Sequence, residues 1–495
     1  MTENLSLNSL RSICPLDGRY YTRLNNLRDF FSESALIKSR ISVEINYVIR
    51  LSKILNMSPE KITFWERGLS FVSSNQAIER IKQIESKIHH DVKAVEICLR
   101  EYYQELINDD SVDTTNIEQG DLEWIHFGLT SQDINHLAFA DLLDSYIQGA
   151  FLTQWKRFIT SLEHLSKEWI DIELLSYTHG QPATPSTLGA QMMVFVERWT
   201  RIIQKIESIR LTVKFGGATG GLHVHKNLFP DIDWSREMDH FIANYRGENR
   251  LARQQWTTQI DHYDCLAEIF NLFSQISTVG IDFCRDIWSY ISMEYLGLRK
   301  VSKEQVGSST MPHKVNPIDF EQAEGNFMLA VNLLQFFSRK LPVSRLQRDL
   351  TDSTVGRNIG VAIGHLDLGY QSISKGLTLI SPRKDRIKSD LENHPEVWAE
   401  LAQSYLRANG VENPYGKFRQ GLQSVTDKNI ICRTLYSLIE NCNESRNSAS
   451  DNSERNRESD SDNGNRDDNN DKGKIITKTR LLELLATHGV QKPSV

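Results

Sequence analysis

The sequence predicts a mainly α-helical enzyme built around a bundle of long helices. Proline is absent between residues 59 and 182, between 230 and 312, and between 342 and 382. Long helices can form there because proline breaks helix interiors. Within residues 139–165, apolar side chains recur at three- and four-residue steps, the spacing of one helix face. Strand-like alternation bounded by turns is scarce. Further long helices are expected over residues 188–215, 258–295 and 319–340.

The chain has 495 residues, which is too long for a single compact core and suggests two or three domains. We expect boundaries near residues 120 and 380. They separate an N-terminal helical domain (1–120), a central long-helix bundle (121–380) that carries a loop at 307–317, and a C-terminal helical domain (381–495). Helices this long leave apolar stripes that a single chain does not cover, so a homo-oligomer is expected.

The C-terminal domain contains a low-complexity segment at residues 441–474, rich in Asn, Ser, Asp, Glu and Arg. We expect this segment to be disordered, because it cannot bury enough apolar surface to offset the entropy lost on ordering. An amphipathic stretch at residues 475–485 follows it and is expected to dock back on the C-terminal domain.

Composition excludes several classes of protein. Hydrophobic residues make up 39% and charged residues 24% of the chain, and the net charge is -7. Without a basic excess, a general nucleic-acid binder is not expected. No run approaches 18 apolar residues, so no membrane span is expected. The six cysteines form no Cys-x-x-Cys pair, which is typical of reduced thiols. The first residues lack the apolar core of a secretory signal, so the sequence indicates a cytoplasmic location.

The first segment that could carry chemistry is residues 128–135, Gly-Leu-Thr-Ser-Gln-Asp-Ile-Asn, immediately before a predicted long helix. As structure, it is a helix N-terminus with Thr130 or Ser131 as the cap and Asp133 in the first turn. The free N–H groups and hydroxyls at such a helix start also suit a carboxylate or a phosphate. The residues alone leave both interpretations open.

The second segment is residues 178–187, Thr-His-Gly-Gln-Pro-Ala-Thr-Pro-Ser-Thr. Pro182 and Pro185 predict a rigid turn between helices, and Gly180 permits backbone conformations that other residues resist. His179 lies at the start of this turn. A lone histidine is more often structural than catalytic, but a histidine on a rigid polar loop is suited to proton transfer near neutral pH.

The third segment is residues 307–317, Gly-Ser-Ser-Thr-Met-Pro-His-Lys-Val-Asn-Pro. Gly307 gives it backbone freedom, and the helix that begins at Ile318 supplies a positive N-terminal end. A flexible connector would explain the glycine and prolines, but not the concentration of Ser, Thr, His, Lys and Asn. A Walker-type phosphate loop is excluded, because the loop has one glycine and lacks the Gly-Lys-Ser/Thr ending. The segment is predicted to be a mobile catalytic loop.

These three segments, in this order, resemble the fumarase/aspartase superfamily, whose signature has the form G-S-S-x-M-P-x-K-x-N. Residues 307–316 match it at every fixed position. Within the superfamily, the closer resemblance is to the bacterial-type adenylosuccinate lyase family, on further strings at residues 15–20, 90–96, 257–260 and 341–354. The resemblance covers roughly residues 11–420. It implies a three-domain fumarase/aspartase-like fold whose long central helices form the core of a homotetramer with shared active sites.

The resemblance also implies an activity. Members of the family are C–N lyases that cleave adenylosuccinate to AMP and fumarate. They also release fumarate from succinyl-aminoimidazole carboxamide ribotide, and both reactions belong to purine nucleotide biosynthesis. The implied partners are therefore purine nucleotides, and neither a metal nor an organic cofactor is implied. By analogy, Ser308 removes the proton next to a substrate carboxylate and His179 protonates the departing nitrogen.

The remaining roles come from the same resemblance. The residues implied to hold the succinyl group are Thr130, Ser131, Ser309, Lys314 and Asn316, with Val315 between the last two. Gln259 is implied to contact the succinyl or the base portion of the substrate. The residues implied to bind the nucleotide phosphate are Arg19, Tyr20, Arg348, Ser353 and Arg357. His90 and Asp91 match a pair that lines the site and supports the acid.

Two positions depart from the family pattern, and two alternatives remain. His89 stands where a small polar amide is expected, which puts the substrate contact there in question. Gln322 replaces an asparagine and is expected to retain an amide contact at longer reach. His223 and His225 lie in a glycine-rich turn, but two histidines without a third ligand do not predict a metal site. The loop signature alone also fits a sister lyase acting on argininosuccinate, fumarate or aspartate. A non-catalytic helical scaffold is the alternative from another class of protein.

Overall fold

The structure is a computed structural model that describes residues 10–247, 249–299, 311, 313–442 and 475–490. Helices dominate these residues, which confirms the mainly α-helical prediction. Their contacts group into two compact units. Unit 1 comprises described residues within 1–161, 195–288 and 304–379, and unit 2 those within 162–194, 289–303 and 380–495. The division into three domains at residues 120 and 380 stays a prediction.

The α-helices of the described residues are numbered in chain order. Those before residue 250 are α1 (Arg28–Phe31), α2 (Glu33–Ile54), α3 (Pro59–Glu66), α4 (Asn75–Ile88), α5 (Asp91–Ile107), α6 (Ser131–Tyr146), α7 (Leu152–Glu168), α8 (Leu188–Ser208), α9 (His223–Leu228) and α10 (Trp234–Asn244). Those after residue 250 are α11 (Asp264–Ser292), α12 (Ile318–Lys340), α13 (Thr351–Gly356), α14 (Ile359–Leu377), α15 (Lys384–Glu392), α16 (Ala399–Ala408), α17 (Pro414–Leu422), α18 (Lys428–Glu440) and α19 (Lys478–Thr487).

Short strands in the described residues pair two by two. The antiparallel pairs are β1 (Glu173–Thr178) with β2 (Gln181–Thr187), and β5 (Leu296–Leu298) with β6 (Ile380–Pro382). The parallel pair is β3 (Leu211–Val213) with β4 (Leu251–Arg253). The expected helix over residues 188–215 is therefore too long, because the chain leaves the helix at Ser208 and enters β3.

Side-chain caps start several helices of unit 1. Ser32 accepts a hydrogen bond from the Ala35 amide at the start of α2, and Ser74 accepts one from the Ala77 amide at the start of α4. These bonds satisfy backbone donors that a helix N-terminus leaves unpaired. From residue 131 to 168 the chain stays helical, but a π-helical turn at Ile147–Phe151 separates α6 from α7. The apolar periodicity over residues 139–165 predicts the helix and does not reveal this turn.

Close packing fixes α11, α12 and α14 against one another. Phe327 on α12 occupies the space beside two glycines, Gly280 on α11 and Gly369 on α14. A Cβ atom at either glycine would lie 2.5 Å from the Phe327 ring. Such contacts are far inside van der Waals distance, so a larger residue at either glycine would force the packed core to shift. The helix expected over residues 319–340 is confirmed as α12.

The C-terminal helix α19 belongs to the core of unit 2. Leu481 and Leu485 are fully buried with residues of α16 and α18. The Lys478 ammonium group donates to the carbonyl oxygens of Glu440 and Cys442 at 3.0 and 2.8 Å. The expectation that residues 475–485 dock back on the C-terminal region is confirmed. Residues 443–474 of the segment that is expected to be disordered lie outside the described residues.

In the part of the chain that the structure describes, no helix has both the length and the apolar character needed to cross a membrane.

Candidate active site

The loop before α6 is organised by its own helix cap. Thr130 is the cap residue, and its backbone N–H donates to Asp133 Oδ2 at 2.8 Å, while the Thr130 side chain accepts from the Asp133 amide. Gly128 has a φ of 68°, and a Cβ there would lie 2.5 Å from the His225 ring. The first turn of α6 therefore has the capping structure that the sequence predicts. Thr130 and Ser131 are partly exposed at its tip.

His90 and Asp91 lie at the start of α5, and His90 faces Ser131. The Nδ1 atom of His90 accepts the Lys93 amide at 3.1 Å, so the neutral ring carries its proton on Nε2. That Nε2 atom is 3.5 Å from Ser131 Oγ. His89, just before it, has a φ of 53°. Histidine and asparagine both adopt this left-handed conformation more readily than most residues. The backbone at residue 89 therefore suits a histidine as well as an asparagine.

Two arginines share the Asp91 carboxylate. Arg40 donates to Oδ2 at 2.9 Å and Arg357 donates to the same oxygen at 3.4 Å. Partial burial raises the pKa of Asp91, but the two guanidinium groups and the Val92 amide outweigh burial and lower it overall. Arg40 also donates to Asn135 Oδ1 at 2.8 Å, and it is 4% exposed. The contacts thus tie α2, α5 and α6 to the segment that carries Arg357.

Gln259, in the segment between β4 and α11, lies beside the Thr130 side chain. Its amide nitrogen is 3.5 Å from Thr130 Oγ1. Through these contacts the structure brings together residues predicted from distant parts of the sequence: His90, Asp91, Thr130, Ser131, Gln259 and Arg357.

Arg348 is held by a buried polar chain. Its guanidinium donates to Asp352 Oδ2 at 3.2 Å, and Tyr263 donates its hydroxyl to the same oxygen at 2.9 Å. Because that hydroxyl proton goes to Asp352, His136 donates Nε2–H to the Tyr263 oxygen, at 2.9 Å. Burial lowers the pKa of His136 well below its ordinary value, so its ring stays neutral. Gln132, with its amide oxygen toward Arg348, accepts from the guanidinium at 2.8 Å.

Two clefts of unit 1 meet at Arg357. The first has apolar walls from α2, α6, α11 and α14, and Ser353, Asp352 and Arg40 lie among its polar lining residues. The second is lined by Asp17 and Arg28 and by the first turn of α14. Ser353 and Arg357 line the first cleft together, and Arg348 contacts Asp352, which also lines it.

Arg19 and Tyr20 lie in the sequence between two lining residues of the second cleft, Asp17 and Leu24. The guanidinium carbon of Arg19 is 6.0 Å from the centre of the Tyr20 ring, and that of Arg23 is 5.7 Å from it. Arg23 is anchored on α14, where its Nε atom donates to Gln371 Oε1 at 3.1 Å. No contact in the described residues joins Arg19 or Tyr20 to Arg348 or Ser353.

The predicted catalytic loop is described only in its second half, at residue 311 and from residue 313 onward. Ser308 and Ser309 lie outside the described residues. Lys314 is exposed, while the Asn316 side-chain oxygen is buried without a hydrogen-bond partner among described atoms. Val315 is partly buried, and Gln322 is exposed on the first turns of α12. The structure does not join these residues to the cluster at His90 and Ser131.

His179 lies at the tip of the β1–β2 hairpin in unit 2, which corrects the expected turn between helices. Thr178 pairs with Gln181, so His179 and Gly180 form a two-residue loop. Their φ angles are 54° and 72°, and positive φ at both positions is what a type I′ turn requires. The His179 side chain is exposed. The imidazole is therefore exposed to solvent on a backbone that strand pairing holds in place.

A histidine–carboxylate pair lies just before the Thr130 loop in unit 1. His126 Nδ1 is 2.6 Å from Glu44 Oε1, and Glu44 is fully buried. Burial lowers the pKa of His126, but the Glu44 carboxylate outweighs burial and raises it overall. A raised folded-state pKa adds stability that is complete below the unfolded pKa, about 6.5, and is lost as pH rises through the folded value.

We therefore expect the Tm to fall as pH rises from about 6 through the raised pKa of His126. The measurement is thermal unfolding of the wild type and of His126→Gln across this pH range. The variant should lack this component of the pH dependence. Identical pH profiles for the two proteins would contradict the assignment to His126.

One histidine of the glycine-rich turn, His225, has a structural partner. His225 is buried, and its Nε2 atom is 2.7 Å from the Tyr47 hydroxyl. Within the described residues, no group of three or more His, Cys, Asp or Glu side chains is arranged to hold a metal ion.

The sequence analysis assigned no role to the residues that support the site. They are Arg40, Gln132, Asn135, His136, Tyr263 and Asp352. One signal was available for Arg40, because it lies with Glu44 one helical turn apart on the apolar face of α2. Charged residues on a buried helix face are rare unless they are paired.

Family models match most of the chain. Residues 18–330 match the model described as "Lyase". Residues 344–451 match the model described as "Adenylosuccinate lyase C-terminal". The family likeness therefore extends beyond residue 420, to residue 451.

Similar proteins agree with the models. An adenylosuccinate lyase from Dictyostelium discoideum is 43% identical over 442 residues, covering 87% of this chain and 92% of the relative. One from Escherichia coli (strain K12) is 38% identical over 422 residues, covering 84% of this chain and 89% of the relative.

Solved structures share the fold at low identity. A fumarate lyase from Mesorhizobium sp. BNC1 has a TM-score of 0.66 and 16% identity, covering 85% of this chain and 92% of its own. A β-carboxy-cis,cis-muconate cycloisomerase from Acinetobacter calcoaceticus sp. ADP1 has a TM-score of 0.66 and 14% identity, covering 94% and 95%. Together with the family models and the more similar relatives, these likenesses show that the chain belongs to the adenylosuccinate lyase family of the fumarase/aspartase superfamily.

Proposed function

We propose that this chain cleaves adenylosuccinate to AMP and fumarate, and that it releases fumarate from succinyl-aminoimidazole carboxamide ribotide in the same way. The observation that carries the proposal is the cleft lined by Ser353 and Arg357, where Arg348 contacts two further lining residues, Asp352 and Gln132, at the start of the helix capped by Thr130. A guanidinium pair suits a phosphate. A helix N-terminus with partly exposed hydroxyls suits a carboxylate. A nucleotide joined to a succinyl group carries both anions.

The reaction is an elimination. A base removes the proton on the methylene carbon next to a substrate carboxylate. The electron pair left on that carbon forms the double bond of fumarate as the C–N bond breaks, and the departing nitrogen takes a proton from an acid. We assign the base to Ser308 and the acid to His179 by their match to the family pattern. Negative charge grows on the carboxylate as the proton leaves. Preorganised donors at that carboxylate therefore lower the barrier.

Ser309, Lys314 and Asn316 complete the carboxylate-binding set in this proposal, with Val315 in the same stretch. Gln322 stands where an amide contact is expected, with a longer reach than asparagine. His89, His90 and Asp91 line the site, and His90 supports the acid. Arg19 and Tyr20 complete the phosphate set.

The proposal includes a homotetramer in the cytoplasm that acts in purine nucleotide biosynthesis. Apolar side chains on α12 support association of copies, since Met328, Leu329 and Phe336 are 44%, 51% and 51% exposed. Exposed apolar surface of this kind on a long helix is typical of subunit interfaces. Sedimentation of the purified chain would test the oligomeric state.

The test of the activity is fumarate release by the purified chain, without added metal, from adenylosuccinate and from the ribotide substrate. We expect turnover on both, with argininosuccinate, malate and aspartate inert under the same conditions, because none of the three carries a phosphate for the arginine set. Turnover on argininosuccinate and on neither purine substrate would assign the chain to the sister lyase. Inactivity on all of them would favour the scaffold alternative.

A further inference from the structure

A fully buried ion pair lies directly beneath the Thr130–Ser131 turn. The Asp133 carboxylate receives Lys214 Nζ at 2.6 Å, the Thr130 amide at 2.8 Å, the Gly216 amide at 2.7 Å and the Gly217 amide at 3.1 Å. Both charged side chains are 0% exposed. Four donors on one carboxylate satisfy the hydrogen-bonding needs of a buried charge, which would otherwise be strongly unfavourable.

The same pair fixes the turn that follows β3. Lys214 Nζ also donates to the Gly217 carbonyl at 2.7 Å, which closes the turn from residue 214 to 217. Gly217 has a φ of 77°, and a Cβ there would lie 2.9 Å from the Gly128 carbonyl oxygen. A Cβ at Gly220 would lie 2.3 Å from the Thr257 carbonyl oxygen. The turn is therefore packed between the loop that carries Thr130 and the segment that carries Gln259.

Charge compensation has a second effect at this helix start. An uncompensated carboxylate in the first turn of α6 would repel an anion approaching Thr130 and Ser131. Lys214 neutralises Asp133, so the N-terminal end of α6 keeps its positive character for an anionic ligand. Stability alone does not require the pair, since well-packed apolar residues often stabilise a core as much as a buried ion pair does.

We propose that Asp133 and Lys214 are positioning residues that hold the Thr130–Ser131 turn and the Gln259 segment in the geometry that binds the substrate's succinyl carboxylate. The proposal rests on the proposed function, because it takes the succinyl group as the ligand of that turn. Neither residue touches the substrate. Their effect passes through the backbone of residues 128–131 and the turn at residues 214–220.

The test compares Asp133→Asn with a matched control on the same helix. Asp141 on α6 is also a buried carboxylate, 4% exposed, and it pairs with Arg246 and accepts from Ser39. Asp141→Asn therefore removes the ion pair of a buried carboxylate but leaves the contacts of the Thr130 turn intact. For each variant we would measure the Tm, kcat and KM for adenylosuccinate, and inhibition by AMP, which lacks the succinyl group.

We expect both variants to lower the Tm. Only Asp133→Asn should lower kcat/KM for adenylosuccinate, by about 100-fold, because small displacements of positioning groups have effects of this size. Its AMP inhibition constant should match that of the wild type. The proposal would be contradicted if Asp133→Asn weakened AMP binding as much as it lowers kcat/KM. It would also be contradicted if Asp141→Asn lowered kcat/KM equally, because Asp133 and Lys214 would then have only a structural role.

A milder variant covers the case in which Asp133→Asn does not fold. Lys214→Gln keeps a donor for Asp133 but removes the compensating charge, and we expect it to weaken adenylosuccinate binding while leaving AMP inhibition unchanged. Equal weakening of both ligands would overturn the proposal. Fumarate release by the wild type is measured first, so that failure of the proposed function is distinguished from failure of the positioning role.

Discussion

His179→Asn is expected to lower kcat for adenylosuccinate by about two to four orders of magnitude, the usual contribution of a positioned acid or base. The variant should fold as the wild type does. His179 has a φ of 54° at the tip of the β1–β2 hairpin, followed by Gly180 at 72°. Asn-Gly is the preferred pair for such a turn. Asparagine therefore keeps the hairpin while removing the imidazole, and the kinetic loss reports the chemistry.

Asparagine is a sharper replacement than alanine at this position. Alanine disfavours the left-handed conformation, so His179→Ala would combine lost chemistry with a strained turn. The measurements are kcat, the Tm and partial rescue by added imidazole. A near-normal kcat in His179→Asn would show that another group protonates the departing nitrogen. His90 would then be the first residue to test, because its Nε2 proton is directed toward Ser131.

Helix periodicity predicts the long helices of this fold. It does not predict structure that depends on pairing between segments distant in the sequence. The helix over residues 319–340 is correct to within one residue, since α12 runs from Ile318 to Lys340. The helix expected to reach residue 215 ends at Ser208, because residues 211–213 pair with a strand 40 positions further along the chain. Such a partner leaves no local pattern in either segment.

The hairpin that carries His179 was missed for a related reason. Its second strand contains Pro182 and Pro185, which cannot donate ladder hydrogen bonds, and its register is irregular between Leu174 and Ser176. Proline and irregular pairing weaken the alternation by which strands are recognised. The two prolines correctly indicate a rigid segment, but they do not indicate which kind.

Site residues could be predicted where they lie in short polar segments, and not where they lie on buried helix faces. Thr130 and Ser131 stand at a helix start, where capping chemistry marks them, whereas His90 was predicted from the family resemblance. The structure places His90 beside Ser131. Tyr263 and Lys214 have no such marker, because their roles arise from partners 89 and 81 residues away. The phosphate-binding assignment of Arg348 and Arg357 came from resemblance, since an arginine-rich stretch is ordinarily a solvated surface.

Ser308→Ala is expected to lower kcat by about two to four orders of magnitude, in the range of a lost general base. The neighbouring Ser309→Ala should mainly raise KM, because Ser309 is assigned to hold a carboxylate throughout the reaction. Adjacent serines in one loop provide a matched pair, since each variant removes one hydroxyl from the same backbone. The measurements are kcat and KM for adenylosuccinate with both variants.

An isotope effect separates proton removal from loop movement. Deuterium at the methylene carbon of the succinyl group slows only the step in which that carbon loses its proton. If Ser308 is the base, Ser308→Ala makes this step rate-limiting and increases the isotope effect on kcat, whereas a variant that only impairs loop closure leaves the effect unchanged or smaller. A larger isotope effect in Ser309→Ala than in Ser308→Ala would instead assign the base to Ser309 and the carboxylate contact to Ser308. Because Lys314 and Asn316 follow in the same loop, the base would still act beside the donors that receive the developing charge.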